Sequence, residues 1–126
     1  MMFMRVGFYG KAFGPDYNKL MRDVVRLLKE ASVDIVIYEP FWNDIKSCLD
    51  ENYEFELFNN HDEIRNNIDM LFSFGGDGTI LDSVPLIRDS GIPVLGINTG
   101  TLGFFFFVSP QYSSDAVKNI ISGNYM

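Results

Sequence analysis

The residues of this chain best suited to chemistry are Gly75-Gly76-Asp77-Gly78-Thr79. The glycines carry no Cβ, so a phosphate can approach the backbone there. Their N–H groups, with the start of a following helix, can cradle phosphate oxygens. The one side chain between them is a carboxylate, which would repel phosphate. Its work is then to accept a proton from an attacking hydroxyl or to hold Mg2+. Phosphoryl transfer needs mostly positioning and charge neutralisation, so one well-placed carboxylate is a fitting complement. An aspartate is in general a weak base at neutral pH. Its main contribution would be to orient the hydroxyl and take the proton late. A plain structural reading stands beside this one: a tight β–α turn whose aspartate caps the helix, since short glycine motifs also match by chance. Thr79 and Asp82 have the spacing of a capping box, threonine at the N-cap and an acid at N3. That spacing predicts a structural role for Thr79, with a phosphate contact as the alternative.

The elements that must position this loop are legible as alternating strands and helices. Arg5 to Tyr9, ending in Gly10, reads as a buried strand, and Lys11 to Pro15 as a loop. From Tyr17 the apolar positions Leu20, Met21, Val24, Val25, Leu27, Leu28 and Ala31 recur at helical period, with Asp16 as N-cap. Asp34 to Tyr38 is a second strand. Pro40 suits a first helical turn, followed by Phe41, Ile45 and Leu49 on one face. Tyr53 to Phe58 alternates as a short strand would, and Asn60 to Ile64 reads as a capped helical turn. Asp69 to Phe74 and Ile92 to Ile97 are core strands. Between them Ile80 to Asp89 reads as a helix closed by Gly91, which Pro85 should kink or shorten. Ser113 or Ser114 caps a last helix, Asp115 to Ser122.

This alternation predicts an α/β domain of three layers: a mostly parallel, Rossmann-like sheet with helices on both faces. Its strands are continuous apolar runs, as expected when both faces are covered. Ligands of such sheets bind at the carboxyl ends of the strands, where Gly10–Pro15, Gly75–Thr79 and Asn98–Gly103 all lie.

Composition narrows the function. The 126 residues suffice for one domain with a real core. A net charge of −7 argues against non-specific binding to nucleic acid or anionic membranes. No apolar run reaches the roughly 20 residues of a membrane span. Met1 to Arg5 has no basic region ahead of a long apolar one, so no signal peptide is expected. Cys48 is the only cysteine, which excludes a disulfide framework and a cysteine zinc site, and points to a reducing cytosol. His61, Trp42 and Lys11 read respectively as a surface or helix-start residue, packing, and a solvated loop lysine.

A second glycine-rich loop, Gly96-Ile97-Asn98-Thr99-Gly100-Thr101-Leu102-Gly103-Phe104, leaves the last core strand. With it the chain resembles the NAD kinase family closely. That family carries Gly-Gly-Asp-Gly and then, after one helix and one strand, Gly-x-Asn-x-Gly-x-Leu-Gly-Phe. The resemblance implies phosphorylation of the adenosine-ribose 2′-hydroxyl of NAD to give NADP, with ATP or polyphosphate as donor and Mg2+ or another divalent cation accompanying it. It implies Asp77 as the proton acceptor, Asp77 and Gly78 in contact with NAD, and Phe104 near the adenine. Gly75, Gly76, Gly78 and Thr79 would take phosphates, and no residue is assigned as a metal ligand. It also implies a cytoplasmic homo-oligomer, dimer or tetramer, acting on small-molecule nucleotides.

Three features depart from the family pattern. Asp82 stands where many members have a basic residue. Phe105-Phe106-Phe107-Val108 replaces a segment that usually turns polar, and reads as strand or interface packing. The family also continues past a segment like Ser122-Gly123-Asn124-Tyr125 into an all-β domain whose Asn-Glu motif binds NAD. The expectation is therefore that residues 1–126 are the N-terminal α/β domain, cut from that second domain, with little activity alone. Two alternatives use the same loop: a lipid kinase related to diacylglycerol kinase, and a nucleotide- or partner-binding module without catalysis. The downstream loop fits neither the lipid kinases nor the phosphofructokinases.

Overall fold

Five of the apolar segments form the strands of a single parallel sheet. The computed structural model describes residues 4–11, 18–75 and 77–98, with the backbone alone at 77, 80 and 98. In chain order the elements are β1 (Arg5–Gly10), α1 (Asn18–Glu30), β2 (Asp34–Tyr38), α2 (Glu39–Ile45), β3 (Glu56–Phe58), α3 (His61–Ile64), β4 (Met70–Gly75), α4 (Asp77–Ile87) and β5 (Val94–Asn98). The strand order is β3-β2-β1-β4-β5, and every pairing is parallel. The expected three-layer α/β architecture is thus present. The short strand foreseen over Tyr53–Phe58 is confined to Glu56–Phe58.

Alternation along the strands sorts side chains onto two faces. Val6, Phe8, Ile35, Ile37, Phe72, Phe74 and Ile97 pack with α1 and α2. Helix α1 contributes Leu20, Met21, Val24, Val25 and Leu28, the positions whose spacing predicted it. Helix α2 has Pro40 in its first turn and ends at Ile45. A short 3-10 turn, Lys46–Cys48, then carries the chain to a buried Leu49. The other face, with Tyr9, Val36 and Leu71, packs against Ile64 of α3 and Leu86 of α4.

Helix α4 begins three residues before the predicted Ile80 and stops two before Asp89. Pro85 lies inside it, and Arg88 just beyond adopts a left-handed φ of 48°. Side chains satisfy carbonyls of its final turn: Arg88 Nε donates to Pro85 O at 2.9 Å, and His61 Nδ1 lies 2.7 Å from Leu86 O. His61 is therefore a helix-start residue as foreseen, but a buried one. Asn60 caps α3 as its sequence suggested, accepting from the Glu63 N–H at 3.1 Å. At the amino edge of the sheet Arg5 ties strands together. Its Nε donates to Asn67 O at 2.7 Å, and its guanidinium pairs with Asp34 and Glu56.

Ser73 is fully buried on β4, level with Tyr9 of β1 and Gly96 of β5. Its hydroxyl has no hydrogen-bond partner among the described residues. An orphaned buried hydroxyl costs about 1 kcal/mol or more. Ser73→Ala should therefore raise stability, by roughly 1 kcal/mol, in denaturant unfolding; a loss of that size would show that the hydroxyl is satisfied.

Candidate functional site

The turn from β4 into α4 is short. Gly75 ends the strand, Asp77 opens the helix, and one residue separates them. Gly75 has φ of +152°, a region closed to residues with a Cβ. A Cβ there would strike Thr79 Oγ1 and lie 2.8 Å from Thr79 Cβ and 3.0 Å from Cγ2. Thr79 is correspondingly buried. The capping-box expectation is corrected here. Because α4 starts at Asp77, Thr79 stands inside the helix, packed against the glycine at the strand end. Asp82 is not paired back to the helix start but bonded to Lys11.

Gly78 behaves differently. It is exposed, and no described atom lies within 4 Å of where its Cβ would be. A glycine in a helix costs about 1 kcal/mol relative to alanine, and nothing in the described structure requires one here. Among the described residues, the space where a Cβ of Gly78 would stand is open.

Register fixes what surrounds the turn. Gly10 of β1 is paired with Phe74 of β4, and Gly75 with Asn98 of β5. The ends of β1, β4 and β5 are level, so Gly75 and Asn98, one from each glycine motif, stand side by side. The chain runs from β1 outward to β2 and β3, then returns to β4 on the other side of β1. The sheet's topological switch point therefore lies between β1 and β4, where ligands of open α/β sheets bind. Gly10 is required sterically: a Cβ would sit 2.6 Å from Phe41 Cε1 and 2.9 Å from Phe74 O.

Lys11 follows β1 directly, and its Nζ donates to Asp82 Oδ2 at 2.8 Å. The pair is half exposed, so Lys11 is the solvated loop lysine expected from sequence, with Asp82 as its ion-pair partner. The hydrogen bond to Asp82, with the charges of Tyr9 and Asp82, pushes the Lys11 amine up. Tyr9, the residue before Gly10, meets Tyr38 with tilted rings 5.0 Å apart, and burial pushes the Tyr9 phenol up. Sequence reasoning missed the Lys11–Asp82 contact because 71 positions separate the two; the adjacency of β1 and β4 was the available signal.

Of the other predicted site residues, Gly76 and Phe104 lie outside the described residues, as do Phe105–Phe107, residues 99–103 and the expected helix over Asp115 to Ser122. Among the described residues no group of three or more His, Cys, Asp or Glu could hold a metal ion. Trp42 packs edge-on against Phe55, 5.5 Å between ring centroids. Cys48 is half-buried, and that burial pushes its thiol up.

A sequence profile of the ATP-NAD kinase N-terminal domain matches residues 6–125. The chain belongs to that family. It is 31% identical over 122 residues to the NAD kinase of Flavobacterium johnsoniae, covering 97% of this chain and 42% of that protein. It is 34% identical over 123 residues to the NAD kinase of Methanothermobacter thermautotrophicus, covering 97% and 40%. Among solved structures, yeast NADH kinase complexed with NADH superposes with a TM-score of 0.76 at 24% identity, over 97% of this chain and 39% of that one, and supports the fold. The chain thus spans about two fifths of the length of these relatives.

The two glycines separate experimentally. Gly75→Ala meets both a forbidden φ and Thr79, and should destabilise the domain by roughly 2 kcal/mol or more. Gly78→Ala should leave stability unchanged or raise it by up to about 1 kcal/mol. Thermal and denaturant unfolding of the two variants check this; equal effects would contradict the assignment.

Proposed function

We propose that the protein carrying this chain phosphorylates the 2′-hydroxyl of the adenosine ribose of NAD to give NADP, with ATP or polyphosphate as donor. The observation that carries this reading is the pairing of Gly75 with Asn98, which sets the Gly-Gly-Asp-Gly motif and the Gly-x-Asn motif at adjacent strand ends. Membership of the ATP-NAD kinase N-terminal domain family supports it.

In this reading Asp77 accepts the proton of the 2′-hydroxyl. The ribose oxygen forms a bond to the donor's terminal phosphorus, and the bond from that phosphorus to the leaving phosphate oxygen breaks. Gly78 lets the ribose approach beside Asp77, using the space that a Cβ would fill. Gly75, Gly76, Gly78 and Thr79 form the phosphate side, with Thr79 filling the gap under Gly75. Phe104 lies by the adenine. A divalent cation bound to the donor would offset the charge of its phosphates, and no residue of this chain is assigned to hold it.

The remainder of the NAD pocket belongs, in this reading, to an all-β domain that follows in the longer protein. The whole works as a cytoplasmic homo-oligomer. No described helix is long and apolar enough to cross a membrane.

An NAD kinase assay on the full-length gene product, run with ATP and with polyphosphate, tests the reading. Asp77→Asn should lower turnover by about 100-fold or more, the usual range for a lost general base, with NAD affinity retained. Undiminished turnover in that variant would overturn the assignment of Asp77. Residues 1–126 alone should convert little or no NAD.

A further inference from the structure

Lys11 and Asp82 join the two sides of the switch point. Lys11 is the first residue after β1, and Asp82 lies in α4, which opens directly after β4. Gly78 and Asp82 are four positions apart on α4 and so share a helix face. The Lys11 ammonium lies 2.8 Å from Asp82 Oδ2, one turn along the face that begins with Gly78. That first turn is open, with no described atom where a Cβ would stand. An exposed cation and the amide-rich start of a helix of 11 residues thus border the same switch point.

We propose that Lys11 binds the phosphates of the phosphoryl donor, and that Asp82 is the counter-ion it exchanges for them. The inference rests on the kinase reading for the identity of the ligand, but its chemistry needs only a polyanion. In the unloaded site Asp82 holds the ammonium at the crevice and neutralises it. A polyphosphate brings more negative charge than one carboxylate and takes the ammonium from it. The exchange is inexpensive, because a half-exposed ion pair is worth little in water. A phosphate held against backbone amides at a helix start is bound more firmly. Asp82 thereby tunes donor affinity downward, and it disfavours lone anions too weakly charged to displace it.

The test uses the full-length gene product and its variants, with inorganic tripolyphosphate titrated calorimetrically as the probe and donor kinetics measured in parallel. Lys11→Met should weaken tripolyphosphate binding and raise the donor KM by about tenfold or more, the size of one charge-assisted hydrogen bond. The KM for NAD should stay unchanged. Lys11→Arg should restore most of the affinity, and Asp82→Asn should tighten it. All three variants should unfold at the parent's temperature, since the pair is on the surface. Unchanged tripolyphosphate binding in Lys11→Met would overturn the proposal, as would a loss in Asp82→Asn equal to that in Lys11→Met. Tripolyphosphate binding that depends on Lys11 in a protein unable to phosphorylate NAD would uphold the phosphate site while refuting the kinase reading.

Discussion

The contact between Gly75 and Thr79 is the constraint on which the candidate site depends. A strand that turns into a helix after one intervening residue must bring that helix's first turn against the strand's own end. The missing Cβ at Gly75 lets Thr79 occupy this space. Any larger residue would push α4 away and carry Asp77 with it. The shortness of the turn also removes slack: the backbone of Asp77 is placed by the sheet rather than by a loop.

The sheet supplies the matching rigidity from below. Phe8, Phe72 and Phe74 lie on the α1–α2 side, with Phe8 stacked on Phe72 at 5.8 Å and edge-on to Phe74 at 5.0 Å. Phe41 of α2 stacks on Phe74 at 5.6 Å. Such pairs add about 0.5–1.5 kcal/mol each beyond the area they bury. The opposite face is built of smaller groups near the site, Ser73, Gly75 and Gly96, which let α4 lie close. At its far end α4 is fastened by His61 to α3. The helix that opens with Asp77 is thus held at both ends, by steric fit at one and a hydrogen bond at the other.

Much of this was legible in the sequence because the core obeys local rules. The 3.6-residue period of α1, the apolar run of β2 and the Asn60 cap each act within a few residues. The continuous apolar strands also implied a parallel sheet covered on both faces. What escaped was decided at longer range. Thr79 and Asp82 have the spacing of a capping box, yet the helix starts at Asp77, Thr79 fills the space left at Gly75, and Lys11 takes Asp82. Phe41, Ile45 and Leu49 do share a buried side, but across an α-to-3-10 transition rather than one continuous helix. The general place of the site followed from the glycine motifs. Its local architecture, with Gly75 required by the fold and Gly78 by nothing described in it, did not.

The central position of β1 has a consequence for how the domain is made. Its neighbours are β2, which follows within a few tens of residues, and β4, which comes only after β3 and α3 have been synthesised. Until β4 arrives, one side of β1 is an unpaired hydrophobic edge, able to template pairing with another chain. The same late strand carries Gly75 and leads into Asp77. The glycine turn therefore cannot be assembled before the strand that closes the vulnerable edge has been made, and a nascent chain that has not yet protected β1 cannot yet have formed the site.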